Sequence, residues 1–115
     1  HTAKREFTVS PSDTAIALGS GSVNVLATPI AIAWCESVTT IAISEAVCGD
    51  CTTVGYKIDF LHLSPTSVGE SVYANALVES VSGDRIIFSI DLRNAEMQVG
   101  TGKITRVRVA RNSWI

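Results

Sequence analysis

Between Thr28 and Ser44 the chain carries a single charged residue, Glu36. A stretch that apolar must be hidden from water, and the way it is hidden dictates the fold. The most apolar stretch of the chain, Val23 to Ala33, which overlaps its start, is too short to span a bilayer and contains Asn24, Thr28 and Pro29. No membrane span is therefore expected, and the stretch belongs in a protein core. Its many β-branched residues favour a strand. Two features favour a helix instead. Thr28 followed by Pro29 reads as an N-cap with proline at the first helical position. Ile30, Ala33, Trp34, Ser37, Val38 and Ile41 then recur at three- and four-residue steps. The pattern predicts a helix from Thr28 to about Glu45, apolar on nearly all sides and wrapped by a sheet.

The rest of the chain supplies that sheet. Arg5 to Val9 alternates like a strand and ends at Pro11. Ser12 and Asp13 read as N-caps of a short helix through Leu18, with Gly19 as its stop. Cys48-Gly49-Asp50-Cys51 reads as a turn. Four strand signals follow, over Thr52 to Leu63, Ser71 to Val81, Arg85 to Leu92 and Gln98 to Val109, with Ser82-Gly83-Asp84 as a hairpin turn. This order is α+β, an antiparallel meander curled around one central helix. A chain of 115 residues suits one domain, residues 1–115, with a core large enough to need no disulfide. The charged fraction of 17% is low for a soluble domain, which hints at subunit contacts.

Net charge is −2 with no long basic run, so nucleic-acid binding through a broad cationic face is not expected. The local exception is Arg106, Arg108 and Arg111, which could meet a small polyanion such as a nucleotide phosphate. Three cysteines make an odd count for a secreted scaffold, and no signal-peptide pattern is seen, so a cytoplasmic location is expected.

Three residues carry most of the chemical interest. On a helix, Glu36 lies eight residues after Thr28, about 12 Å along the axis and on roughly the same face. A carboxylate in so apolar a helix is costly unless it is paired or functional, although an edge position facing solvent would explain it too. His62 sits in Phe60-Leu61-His62-Leu63, where it is either a proton shuttle or a core histidine satisfied by the backbone. Cys48-x-x-Cys51 precedes a strand rather than opening a helix, which argues against a redox pair, and no further ligands for zinc are evident, so no metal is expected. Cys35 reads as core. Gly19-x-Gly21 and Gly100-x-Gly102 lack the strand-then-helix setting of a dinucleotide site and read as turn or bulge glycines.

Taken together these residues resemble the small hot-dog-fold thioesterases related to fluoroacetyl-CoA thioesterase. The resemblance runs from about Phe7 to Arg111. It rests on Ala27-Thr28-Pro29, Glu36, Thr53-Val54-Gly55, His62-Leu63-Ser64-Pro65-Thr66, Val68-Gly69 and Gly100-x-Gly102. The spacings from Thr28 to Glu36 and from Glu36 to His62 match the family's catalytic Thr, Glu and His. The resemblance implies a hot-dog homodimer, possibly paired into a tetramer, with sites at the subunit interface. It implies hydrolysis of an acyl-CoA to free acid and coenzyme A, with no cofactor beyond the coenzyme A of the substrate. Glu36 would activate water or attack the carbonyl, His62 would relay protons, and Thr28 would position Glu36 or water. Gly69 would offer its N–H to the acyl oxygen, and Arg106, Arg108 or Arg111 would hold the nucleotide phosphates. The fluoroacetate-specific members carry an aromatic lid before the helix. Gly19 to Leu26 contains no aromatic residue here, so that specificity is not expected. A non-catalytic acyl-CoA or small-ligand binding module on the same fold is the main alternative.

Overall fold

A computed structural model of the chain describes residues 1–44 and 49–111. Five strands form one antiparallel sheet: β1 (Thr2–Thr8), β2 (Cys51–His62), β3 (Ser71–Ser82), β4 (Arg85–Arg93) and β5 (Gln98–Ala110). Their order across the sheet is β1-β3-β4-β5-β2. One long helix, α2 (Thr28–Ala42), packs across all five strands, preceded by a short helix α1 (Ala15–Leu18) and a 3-10 turn at Pro11–Asp13. The expected α+β meander around a central helix is thus present.

The alternation of the strands explains the core. On β4, Phe88, Ile90 and Leu92 point at the helix and are buried, and Val72, Ala74 and Ala76 do the same on β3. Ala31, Cys35, Val38 and Ala42 form the facing stripe of α2 and belong to the same core cluster. Each large side chain hidden this way contributes about 1.5–3 kcal/mol. Burial is less complete than the apolar sequence suggests. Only one face of α2 meets the sheet, and Ile41 on another face stays 45% exposed. Trp34 lies between these extremes, stacked on Phe7 of β1 at 4.7 Å between ring centroids.

Three local expectations need correction. Thr28 is the first residue of α2 and Ala27 is its N-cap, so Pro29 is second in the helix and the Thr28 side chain makes no capping bond. The helix ends at Ala42, before the predicted Glu45, which lies outside the described residues. In the short helical segment the N-cap of α1 is Thr14, whose side chain accepts the Ala17 N–H, while Asp13 accepts the Ser10 N–H at 2.9 Å. The expected stop at Gly19 is seen, in the left-handed region at φ 72°. Glycines 100 and 102 lie near the start of β5, as expected, beside the register shift at Leu92/Arg93, and a Cβ there would strike the Phe60 ring and the Asp59 backbone respectively. This close approach brings the C-terminal half of β2 down against β5, with His62 opposite Gly100.

Candidate active site

His62 is the last residue of β2, and Thr28 opens α2. Backbone bonds bring the two ends together. Leu26 N–H donates to the Thr66 carbonyl at 2.8 Å, Ala27 N–H to the Asp13 carbonyl at 2.9 Å, and Leu63 N–H to the Val99 carbonyl at 2.8 Å. With no capping duty, the Thr28 hydroxyl faces the imidazole, and Thr28 Oγ1 lies 2.7 Å from His62 Nδ1. Thr28 is exposed, whereas His62 is half-buried and its Nε2 is buried with no hydrogen-bond partner among the described residues. Burial pulls the imidazole below its usual titration range, with the Ser64 backbone acting in the opposite sense. An open pocket lies beside the pair, lined by Val25, Leu26, Leu63, Ser64 and Pro65. Its lining holds no charged side chain. A hydroxyl in hydrogen-bond contact with a neutral imidazole, at the mouth of an apolar pocket, can attack a carbonyl carbon while the ring takes its proton.

Glu36 lies elsewhere in the chain. It is two helical turns further along α2, where it faces Arg106 of β5, with Arg106 Nη1 3.5 Å from Glu36 Oε2. Arg106 is only 7% exposed. Its Nε donates to Thr53 Oγ1 at 2.9 Å and its Nη2 to the Thr53 carbonyl at 3.0 Å. Burial lowers the affinity of this guanidinium for its proton, and the Glu36 carboxylate opposes the shift. Gly55 closes the group: a Cβ there would sit 2.6 Å from Glu36 Oε2. Among the described residues no hydrogen bond or ion pair joins Glu36 to Thr28 or His62. The chain therefore presents two separate clusters, Thr28–His62 and Glu36–Arg106.

The remaining sequence candidates lie away from the Thr28–His62 pair. Gly69 is in the left-handed region at φ 92°, inside the turn before β3. Its N–H donates to the Val9 carbonyl at 2.8 Å, so it is occupied by the fold and is not offered to an acyl oxygen. Arg106 points inward rather than toward a phosphate in solvent. Arg108 pairs with Asp84 of the β3–β4 turn at 2.9 Å. Arg111 donates through Nη2 to the Cys51 carbonyl at 3.2 Å. Cys48 lies outside the described residues. Cys35 is buried, and burial together with Asp91 pushes its thiol up to about 12, which fits a core role. Among the described residues no group of three or more His, Cys, Asp or Glu is placed to hold a metal ion. Among the same residues no helix is long and apolar enough to cross a membrane. Gly55 is the residue the sequence reading quoted without a role. Its signal was a glycine in mid-strand, which marks a bulge or a close approach.

Comparison with known proteins places this geometry in a family. The model of the fluoroacetyl-CoA-specific thioesterase family matches residues 9–112. A search of curated proteins found no match. Among solved structures, the fluoroacetyl-CoA thioesterase superposes with a TM-score of 0.93 at 20% identity, covering 99% of this chain and 89% of that one. A variant of that enzyme in complex with fluoroacetate and CoA gives 0.91 at 21% identity, covering 100% and 97%. A thioesterase superfamily member from Thermus thermophilus gives 0.91 at 20% identity, covering 98% and 84%. The fold is the hot-dog fold of these proteins, and by its match across residues 9–112 the chain belongs to the fluoroacetyl-CoA-specific thioesterase family, as a thioester hydrolase.

Proposed function

We propose that the chain hydrolyses a small acyl-CoA to the free acid and coenzyme A, as a homodimer whose site is completed by both subunits. The observation that carries this reading is the 2.7 Å contact between Thr28 Oγ1 and His62 Nδ1 at the edge of an uncharged pocket. Thr28 Oγ attacks the thioester carbonyl while His62 Nδ1 takes the hydroxyl proton. The C–S bond breaks, and His62 returns the proton to the departing coenzyme A thiolate. Water, its proton taken by Glu36, then attacks the acyl–Thr28 ester; the C–Oγ bond breaks, the free acid leaves and the proton passes to Thr28 Oγ, restoring the hydroxyl. Within one subunit Thr28 and Glu36 are about 12 Å apart along α2. The Glu36 serving one Thr28–His62 pair therefore comes from a second copy of the chain.

The edge strand β2 supports the dimer. It borders the sheet, and Tyr56, Leu61 and Leu63 on and just after it are 59%, 60% and 52% exposed. Apolar exposure along an unpaired edge invites a partner. Coenzyme A enters as part of the substrate, with no separate cofactor. Arg111, the one of the three C-terminal arginines without a carboxylate partner among the described residues, is the phosphate ligand in this reading. We place the protein in the cytoplasm as part of the same reading.

Thiol release from a panel of short-chain, medium-chain and aromatic acyl-CoAs tests the activity. Turnover of at least one, with no preference for fluoroacetyl over acetyl, is expected. Saturable binding of coenzyme A thioesters with no thiol release would instead establish a binding module.

A further inference from the structure

The cluster around Arg106 is more elaborate than an ion pair requires. A guanidinium that is 7% exposed has lost nearly all its water, and such a charge is tolerated only when it is paired and hydrogen-bonded. Two of its three nitrogens, Nε and Nη2, are spent on Thr53 of the neighbouring strand. Those bonds fix the plane of the group but leave its charge uncompensated, because both acceptors are neutral. The third nitrogen, Nη1, faces Glu36 Oε2. At 3.5 Å, with the Glu36 side chain 36% exposed, this contact is worth little as a stabilising ion pair. The cost of burying the arginine therefore calls for another explanation.

The register of the sheet supplies one. Arg106 on β5 is directly opposite Gly55 on β2, and the β2–β5 pairing shifts between Gly55 and Lys57. A side chain at position 55 would occupy the space now held by Glu36 Oε2. Three elements thus converge on one carboxylate oxygen: α2 carries it, β5 brings a plane of N–H donors, and β2 leaves a gap for it.

We propose that Arg106, seated opposite Gly55, is the positioning residue of Glu36. It holds Oε2 and leaves Oε1 as the oxygen presented to the reacting water. The inference rests on the function proposed above. It assigns to Arg106 an inward task in place of phosphate binding, and it assigns to Gly55 the task of leaving room.

A double-mutant cycle on the full-length protein tests it, read as kcat and KM with the best acyl-CoA of the panel. Arg106→Gln is expected to lower kcat by about 10- to 100-fold with KM nearly unchanged, as misplacement of a reacting group does. Arg106→Lys keeps a charge but loses the fork, and recovers only part of the loss. In a Glu36→Ala background, Arg106→Gln is expected to cost nothing further, because its effect runs through the carboxylate. Gly55→Ala gives an independent reading should Arg106→Gln fail to fold. It should lower kcat when Glu36 is present and be harmless when Glu36 is alanine. Losses that multiply in the double variants, or unchanged kcat in Arg106→Gln or Gly55→Ala, overturn the positioning role while leaving the thioesterase reading intact. Unchanged kcat in Glu36→Ala alone overturns the positioning role together with the assignment of Glu36 as the carboxylate that activates water.

Discussion

Replacing Thr28 separates two roles that differ greatly in magnitude. Among the described residues its hydroxyl makes one hydrogen bond, at 2.7 Å to His62 Nδ1, and takes no part in capping α2. If that hydroxyl only steadied the imidazole, Thr28→Ala would remove one net hydrogen bond, about 0.5–1.5 kcal/mol, and slow turnover by about 2- to 13-fold. If it is the attacking group, its loss removes the acyl-enzyme route. The expected drop is then at least about 100-fold, or about 2.7 kcal/mol of barrier at 1.36 kcal/mol per tenfold. Because Thr28 is exposed and caps nothing, the change should move stability by no more than that one hydrogen bond, about 0.5–1.5 kcal/mol or about 2–12 °C in Tm. The assay is thiol release under single- and multiple-turnover conditions, with thermal unfolding as the control. Thr28→Ser restores a hydroxyl and should recover much of the rate. Mass spectrometry of quenched wild-type reactions should show a subunit heavier by one acyl group, absent from Thr28→Ala. Turnover by Thr28→Ala within about tenfold of wild type would refute the nucleophile and leave Thr28 as a support for His62.

Glu36→Ala should cut turnover far more than stability, because its carboxylate is 36% exposed and its ion pair is long, as paired kinetics and thermal melts would show. Phe88→Ala should do the reverse at the centre of the sheet, costing about 3–5 kcal/mol in denaturant unfolding, since the ring is fully buried. The lowered titration of His62 sets a direction in pH. The neutral ring is the base, so kcat/KM should persist below the ordinary histidine range and fall only as pH drops through the depressed value. Stability follows the same sign: the unfolded chain binds the proton more readily, so folding free energy is full above the ordinary histidine range and declines as pH falls toward the depressed value. A pH series of urea melts on wild type and His62→Gln would reveal this, and equal slopes for the two proteins would contradict it.

The backbone was legible because two periodicities were written plainly in the sequence. The four C-terminal strands were placed to within a residue or two by alternation and by the Ser82-Gly83-Asp84 turn. The hardest segment, rich in β-branched residues, became a helix because tertiary burial against β3 and β4 outweighs intrinsic propensity. The site was only half legible. Thr28 and His62 converge, but that contact joins the N-terminus of a helix to the end of a strand 34 residues later, a distance that spacing alone does not reveal. Glycine 69 was misread because an N–H that looks free in sequence is claimed by Val9 across a turn. Arg106 was misread because a charge near the C-terminus suggested the surface. Strand alternation placed it two residues from Ile104, which is fully buried, and so on the inward face. Gly55 could have been found by asking why a strand interior lacks a side chain.

The central claim is that one subunit's Thr28–His62 pair works with the carboxylate of another. It is tested most directly by co-refolding equal amounts of Thr28→Ala and Glu36→Ala subunits, each expected to retain no more than about a hundredth of wild-type turnover alone. If the site is shared, half of the dimers are mixed and each mixed dimer regains one intact site, so the mixture should recover about a quarter of wild-type activity. A mixture as inactive as its parents, with subunit exchange verified by mass, would contradict the shared site.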